Sequence, residues 1–240
     1  MSKVFVIPDV HLKPWMFDVA TDQIEAGDYD RIVMLGDLVD DWNHEKDFDL
    51  YTETFHRTYE FLKKYPDTIY CIGNHDISYL YQAYETGYSP DARDLVVEGM
   101  NHIFNMLPEG NSAFIHRIDQ VLFSHAGLTE QFVRRCFGGG PILEIDEMIA
   151  RINQFQQDRI WRDDSVVWAR PQYGSLRMYP VYWMQVVGHT PVEAPLSDNH
   201  GKLLTLDTFS TYEDGKPIGN EKFVWVDTQT EEWGIIDDRQ

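Results

Sequence analysis

Read for its apolar positions alone, the chain alternates between short buried-type runs and helical stripes. Residues 3–8 run through Val, Phe, Val and Ile to Pro8, and residues 31–35 repeat the pattern with Ile, Val, Met and Leu before Gly36. Both runs are too short for helices and too apolar for a wet surface, so they read as buried strands; Pro8 ends the first because it cannot donate to a ladder. Between them, residues 17–26 carry a helical pattern that closes at Gly27. Strand, helix, strand is the opening of a βαβ unit.

Residues 47–65 place Phe48, Tyr51, Phe55, Tyr59 and Leu62 at intervals of three and four and stop before Pro66, the signature of an amphipathic helix. A third strand is predicted at 68–72, a helix leaving the Gly73 loop at 77–84, and another helix at 91–107, entered through Ser89-Pro90. At residue 113 the period falls to two. Residues 113–118 and 120–124 read as a hairpin, and here the chain is expected to pass from a first sheet to a second. Helices at 129–137 and 143–155 follow, joined across Gly138-Gly139-Gly140-Pro141, which reads as a flexible connection rather than an amide cradle for phosphate. Strands at 184–187, 203–206, 222–226 and 233–236 complete the pattern. Without repeats, low-complexity tracts or linkers, residues 1–240 read as one domain of the α/β class: a four-layer α/β/β/α sandwich, two mixed sheets flanked by helices.

Composition narrows the function. Forty acidic residues against 20 basic ones give a formal charge of −20, which repels extended nucleic acid. A small phosphoester or a basic phosphopeptide stays compatible, because bound divalent cations reverse the field locally. No apolar run approaches the roughly 18 residues of a membrane helix, and the start has no basic segment leading an apolar one, so a cytoplasmic protein with no membrane contact is expected. Cys71 and Cys136 stand far apart in no ligand pattern and are expected to be reduced and structural.

The chemistry collects where the strand-like runs end. In order come Asp9-Val10-His11, Gly36-Asp37-Leu38-Val39-Asp40, Gly73-Asn74-His75-Asp76, Ser124-His125-Ala126-Gly127 and Gly188-His189-Thr190. If the backbone stays extended past Pro8, Asp9 and His11 point the same way, as ligands of one ion must. A lone histidine or a lone Gly-Asp turn is ordinarily structural. Five such loops, each behind its own strand, describe a metal centre at the C-terminal ends of the strands, and a mixture of carboxylate, amide and imidazole suits Mn, Fe or Zn better than Mg or Ca. His44, His56, His102, His116 and His200 match no motif and read as structural.

These motifs, spread over roughly residues 3–207, resemble the calcineurin-like metallophosphoesterase superfamily, and in particular its phosphoprotein phosphatase branch, including bacterial and phage Ser/Thr phosphatases. The resemblance implies two divalent ions, Mn foremost and Fe or Zn next, with Asp9, His11 and Asp37 on the first and Asp37, Asn74, His125 and His189 on the second. It implies a hydroxide bridging the ions as nucleophile, His75 as the general acid and Asp40 as its orienting partner. Pro191 stands where phosphodiesterase members carry a second histidine, which favours the monoesterase type. Asp41-Trp42 replaces the Arg-Gly that supplies a phosphate clamp in phosphoprotein phosphatases. By resemblance to the Trp-x-Arg segment of bacterial relatives, Arg170 in Trp168-Ala169-Arg170 is the replacement clamp, with Arg162 as the alternative. The substrate expected is a phosphorylated peptide or small phosphoester, selected by the segment 128–182 that lies between metal ligands. The other readings are a dinucleoside polyphosphate hydrolase stacking its base on Trp42, Trp161, Trp168, Tyr173, Tyr179 or Trp183, a phosphodiesterase, and a silent binding module. Oligomeric state is not readable.

Overall fold

The computed structural model describes residues 2–138, 140 and 143–236. Gly139 and Pro141 of the predicted glycine-rich connection lie outside the described residues. The first sheet holds β1 (Lys3–Ile7), β2 (Arg31–Met34), β3 (Ile69–Cys71) and β4 (Ser112–Ala113), all parallel, and is extended beyond β1 by antiparallel β10 (Val224–Asp227) and β11 (Trp233–Ile235). In the second, the hairpin of β5 (Ile115–Ile118) and β6 (Val121–Ser124) continues into parallel β7 (Met184–Val187) and β9 (Leu203–Thr205), with β8 (Leu196–Asp198) antiparallel at the far edge.

The two-residue period of each strand sorts the core into layers. Val4 and Val6 of β1 meet Val121 and Phe123 of β6 and Val186 of β7 between the sheets, while Phe5 and Ile7 face the other way. That outer face is covered by α1 (Trp15–Ala26), α2 (Phe48–Lys64) and α4 (Arg93–Met106) through Phe17, Tyr51, Phe55, Val96 and Met100. On the second sheet, Ile115 and Leu122 pack under α5 (Glu130–Phe137), α6 (Ile145–Ile152) and α7 (Gln157–Ile160). Each fully buried aliphatic or aromatic side chain contributes on the order of 1.5–3 kcal/mol of transfer free energy, so both sheets are committed to their register by both faces. This is the expected α/β/β/α sandwich. Both cysteines are free thiols, Cys71 within the inter-sheet layer.

The differences from the sequence pattern are local. Residues 112 and 113 pair with β3, so the crossing between sheets falls at Phe114 rather than before the hairpin. The helix after the third strand, α3 (Asn74–Tyr81), begins three residues early, directly at Asn74. Neither β8, whose Leu-Ser-Asp is exposed and carries no apolar period, nor the single turn α7 was predicted. Among the described residues no helix is long and apolar enough to cross a membrane.

Candidate metal centre and its cleft

Because β1, β2 and β3 run parallel in one sheet and β6 and β7 in the other, their C-terminal ends open on the same edge. Asp9 and His11 follow β1, Asp37 follows β2, Asn74 follows β3, His125 follows β6 and His189 follows β7. All six predicted ligands are brought together. Donor atoms of Asp9, His11 and Asp37 lie within 4.8 Å of one another, as do those of Asp37, His125 and His189, so Asp37 belongs to both groups. The expectation of extended backbone at Asp9 and His11 is corrected: His11 has φ +43°. The turn lets the amides of Val10 and His11 both donate to the Asp37 carbonyl, at 3.0 and 2.9 Å, which locks the first loop to the second. Asp37, Asp40 and His189 are also left-handed, at φ +50°, +68° and +62°. Such conformations cost about 1–3 kcal/mol each for residues other than glycine, and they gather at this edge.

Each histidine has one ring nitrogen committed to a backbone carbonyl. His125 Nδ1 donates to Leu35 O at 2.8 Å, His11 Nδ1 to Asp40 O at 2.8 Å, and His189 Nε2 to Trp168 O at 3.2 Å. A neutral ring held in this way keeps its lone pair on the other nitrogen, facing inward, which is the tautomer a metal ligand needs. His125 Nε2 lies 2.9 Å from Asn74 Oδ1, 3.1 Å from His189 Nδ1 and 3.1 Å from Asp37 Oδ2. Every neighbour of that Asn74 oxygen is an acceptor. A cation among them relieves this, as does turning the Asn74 amide so that its nitrogen donates to the same atoms. On the other side, Asp9 Oδ1 accepts from His189 N at 2.8 Å, while its Oδ2 is buried without a partner, and an orphaned buried carboxylate oxygen is costly unless something positive meets it. The donor set therefore fits two divalent ions sharing Asp37.

The electrostatics agree. Burial raises the Asp37 carboxyl, but His125, then His75 and His11, hold it far below the usual range. His125 is pushed up to about 9: burial opposes the charge, and Asp37 followed by Asp9 overrides it. Burial and then Asp207 raise the Asp9 carboxyl well above its ordinary value. The cluster thus draws protons where divalent ions would relieve the same charge.

Two glycines make the approach possible. A Cβ on Gly73 would stand 2.1 Å from Asp37 Oδ1, and one on Gly188 2.0 Å from Asp9 Oδ2. Asp76, the residue after His75, is a buttress. Its carboxylate accepts from the amides of Asp37 (3.1 Å), Leu38 (2.9 Å) and Gly73 (2.8 Å) and from Tyr70 Oη (3.0 Å), tying the loop after β2 to the loop after β3.

Beside the donor set, His75 Nδ1 meets Asp40 Oδ2 at 3.0 Å. Asp40 is held in turn by two phenols, Tyr51 at 3.0 Å and Tyr79, both on its Oδ1. Burial opposes the His75 cation, yet Asp37 and then Asp40 push its pKa up to about 9. With Nδ1 on Asp40, Nε2 is left for the cleft. Tyr51 and Tyr79 were hidden in the sequence because helical periodicity assigns both to the core, which is also where they lie.

The cleft over these residues holds about 470 Å³. Its floor includes His11, Asp37, Asn74, His75 and His189, and its walls include Trp42, Trp168, Arg170 and the stretch from Ser210 to Glu213. Arg170 is the single arginine or lysine among the lining residues; its Nη1 donates to His189 O at 3.1 Å and Thr190 Oγ1 at 3.3 Å. Arg162 is not brought here. It lines a separate depression with Tyr81 and Trp161 and donates to Asp158 O at 3.2 Å, and two hydrogen-bonded turns, Arg162 to Ser165 and Ser165 to Trp168, separate it from Arg170. Of the segment 128–182, Trp168 and Arg170 line the cleft. The opposite wall carries no motif and was missed. There the Thr211–Pro217 hairpin docks on the loop after β2, with Thr211 Oγ1 donating to Asp41 Oδ1 at 2.9 Å and Asn43 Nδ2 to Glu213 O at 2.9 Å. Asp41 is a strut: its Oδ2 accepts from Lys13 at 2.8 Å.

The calcineurin-like phosphoesterase family model matches residues 2–218. No protein of curated function matches the sequence. Among solved structures, the fold is similar to a serine/threonine phosphatase from Saccharomyces cerevisiae, at 16% identity and TM-score 0.60, over 100% of this chain and 81% of that one. It is also similar to a cold-active protein-tyrosine phosphatase from a psychrophilic Shewanella, at 17% identity and TM-score 0.58, over 99% and 81% of the two chains. At these identities the likeness is one of fold.

Proposed function

The chain belongs to the calcineurin-like phosphoesterase family, and from that premise we propose that within metal-dependent phosphoester hydrolysis it is a phosphomonoesterase of the phosphoprotein phosphatase type. The observation that carries the reading is one cleft that holds the two-ion donor set, His75 backed by Asp40, and Arg170 as the single arginine or lysine of its lining. When bound, the two ions supply Lewis acidity, neutralising phosphate charge and activating water for attack on phosphorus.

The remaining work falls to the chain's own residues. Asp40 fixes the His75 ring and stabilises its charge, so that Nε2 carries a proton to deliver to the departing alkoxide. Asp40 itself is held still by Tyr51 and Tyr79. Arg170 presents a planar guanidinium that binds two phosphate oxygens together. Its bond to the carbonyl of His189 ties that clamp to the metal floor. A diester carries a second substituent that this arrangement does not serve, and Pro191 stands where diesterase members place a histidine. Mn is the metal proposed, and a phosphoserine or phosphothreonine peptide or a small phosphoester the substrate.

Dinucleoside polyphosphate hydrolysis is the second reading, favoured by Trp42 and Tyr212 in the cleft wall. Of the other aromatic candidates, Trp161 sits in the separate depression, and Tyr179 and Trp183 pack on the α5–α7 layer. Initial phosphate release from a phosphothreonine peptide, compared with cleavage of diadenosine tetraphosphate and of bis(p-nitrophenyl) phosphate, tests the choice with Mn present and Asp37→Asn as blank. Rapid release from the peptide alone supports the proposal. Turnover confined to the dinucleotide or the diester overturns it.

A further inference from the structure

Apart from the two-residue β4, six strands run parallel toward the cleft, three in each sheet, and five of them lead to residues already placed in the donor set. The sixth is β9. It lies beside β7 in register, and two residues beyond its end stands Asp207, at the same remove from its strand as Asp9 and His189 are from theirs. Asp207 is 1% exposed and lines the cleft. Ser210 holds it from behind, through its amide to Oδ1 at 3.2 Å and its hydroxyl to Oδ2 at 2.9 Å. Burial raises its carboxyl, His11 lowers it and Asp37 raises it further, and it is the charged neighbour that most raises the Asp9 carboxyl.

Three buried carboxylates, Asp9, Asp37 and Asp207, therefore surround the position shared with His11. Asp37 also serves the other position, whose remaining donors are an amide and two imidazoles. We propose that Asp207 acts on the ion held by Asp9, His11 and Asp37 from just outside the direct donor set, strengthening its binding and biasing that position toward a hard cation such as Mn²⁺. The inference rests on the two-ion reading of the site. Its physical content is charge: carboxylates favour hard ions and imidazoles borderline ones, and partners one layer beyond the ligands typically set affinity by 10–100-fold.

The test is a two-site Mn²⁺ calorimetric titration of wild type, Asp207→Asn and Asp9→Asn, together with the melting temperature of each in EDTA. Asparagine keeps an acceptor for the Ser210 amide and removes only the charge. The expected result for Asp207→Asn is one Mn²⁺ site weakened about 10–100-fold, the other within about twofold, and a melting temperature in EDTA equal to or above that of wild type, since a repelled buried carboxylate is gone. A residue with a merely structural role would lower the EDTA melting temperature and leave Mn²⁺ affinity alone, and that result overturns the proposal. Unchanged binding in Asp9→Asn as well places the failure in the two-ion reading; weakened binding in Asp9→Asn alone places it in Asp207. If Asp207→Asn yields no folded protein, Ser210→Ala loosens the same carboxylate at no change in charge. It is expected to weaken the same site severalfold, and undiminished affinity there is again a refutation.

Discussion

Replacing Gly188 with alanine isolates one ligand of the centre without touching it. The added Cβ would stand 2.0 Å from Asp9 Oδ2, 2.9 Å from its Cγ and 3.1 Å from its Oδ1. All three obstacles belong to one side chain, and Gly188 is not in the left-handed region, so the backbone is under no pressure to move. Real Cβ atoms essentially never come within 3.0 Å of another heavy atom, so the carboxylate must withdraw by about 1 Å. Withdrawal breaks the bond from His189 N to Oδ1, 2.8 Å long. A hydrogen bond to a charged acceptor contributes about 1.5–3 kcal/mol, which in a chain of this size corresponds to a fall in melting temperature of roughly 3–12 °C. Function suffers more. A displacement of about 1 Å typically costs about 100-fold in rate, and the first ion should bind at least 10-fold more weakly.

The assay pairs Mn²⁺ calorimetry with phosphate release at saturating Mn²⁺. Gly188→Ala is expected to be folded, to keep one site of near wild-type affinity and to lose the other. Wild-type affinity at both sites in a folded variant would falsify the placement of Asp9 as a ligand. Equal loss at both would mean that the clash spreads into the His189 loop.

Three further outcomes follow from the geometry. His75→Asn should leave Mn²⁺ affinity within a few-fold and lower kcat by about 10²–10⁴ on an alkyl phosphate, and by much less on p-nitrophenyl phosphate, whose leaving group needs no proton; equal losses on both would remove His75 from the acid role. Adding Mn²⁺ to chelated protein at about 100 times its Kd should stabilise the fold by about 2.7 kcal/mol, roughly 5–11 °C in a thermal scan, and Asp37→Asn should abolish most of that shift. His116, whose Nε2 bonds Tyr70 O at 3.1 Å, has its pKa lowered by burial to about 4. Because the unfolded chain binds this proton near pH 6.5, the stability from keeping the ring neutral is complete above that pH and drains as pH falls toward 4. Urea unfolding should then show wild type losing about 2 kcal/mol more than His116→Gln between pH 7 and 5, and parallel losses would refute the assignment.

What was legible in this sequence is what one strand end can hold. Asp9-Val10-His11, Gly36-Asp37 and Gly188-His189 each pack strand, turn and candidate ligand into a few consecutive residues, so the local pattern placed each at its strand end, although His11 turns where extended backbone is expected. The acid's support was not legible, because Tyr51 and Tyr79 fill core positions at helical spacing and their hydroxyls matter only once α2 and α3 converge on Asp40. Arg170 is preferred to Arg162 on the Trp168-Ala169-Arg170 segment, and the path of the chain takes Arg170 into the cleft and Arg162 into a separate depression. The wall from Ser210 to Glu213 was missed for the same cause, and Asp207-Thr208, which resembles a segment that follows the last ligand in bacterial members, reads from sequence as a strand end. Both reach the site because β9 lies against β7, a pairing between segments separated by β8 that no run of residues announces. Six cleft residues, Asp207, Ser210, Thr211, Tyr212, Glu213 and Ile218, come from this stretch and two from the segment 128–182. The wall is also fastened to the loop that carries Asp40, through Asp41 and Asn43. A substrate that presses on Tyr212 or Glu213 therefore acts on the loop that orients the acid, which makes this hairpin the segment to vary first when substrate preference is mapped.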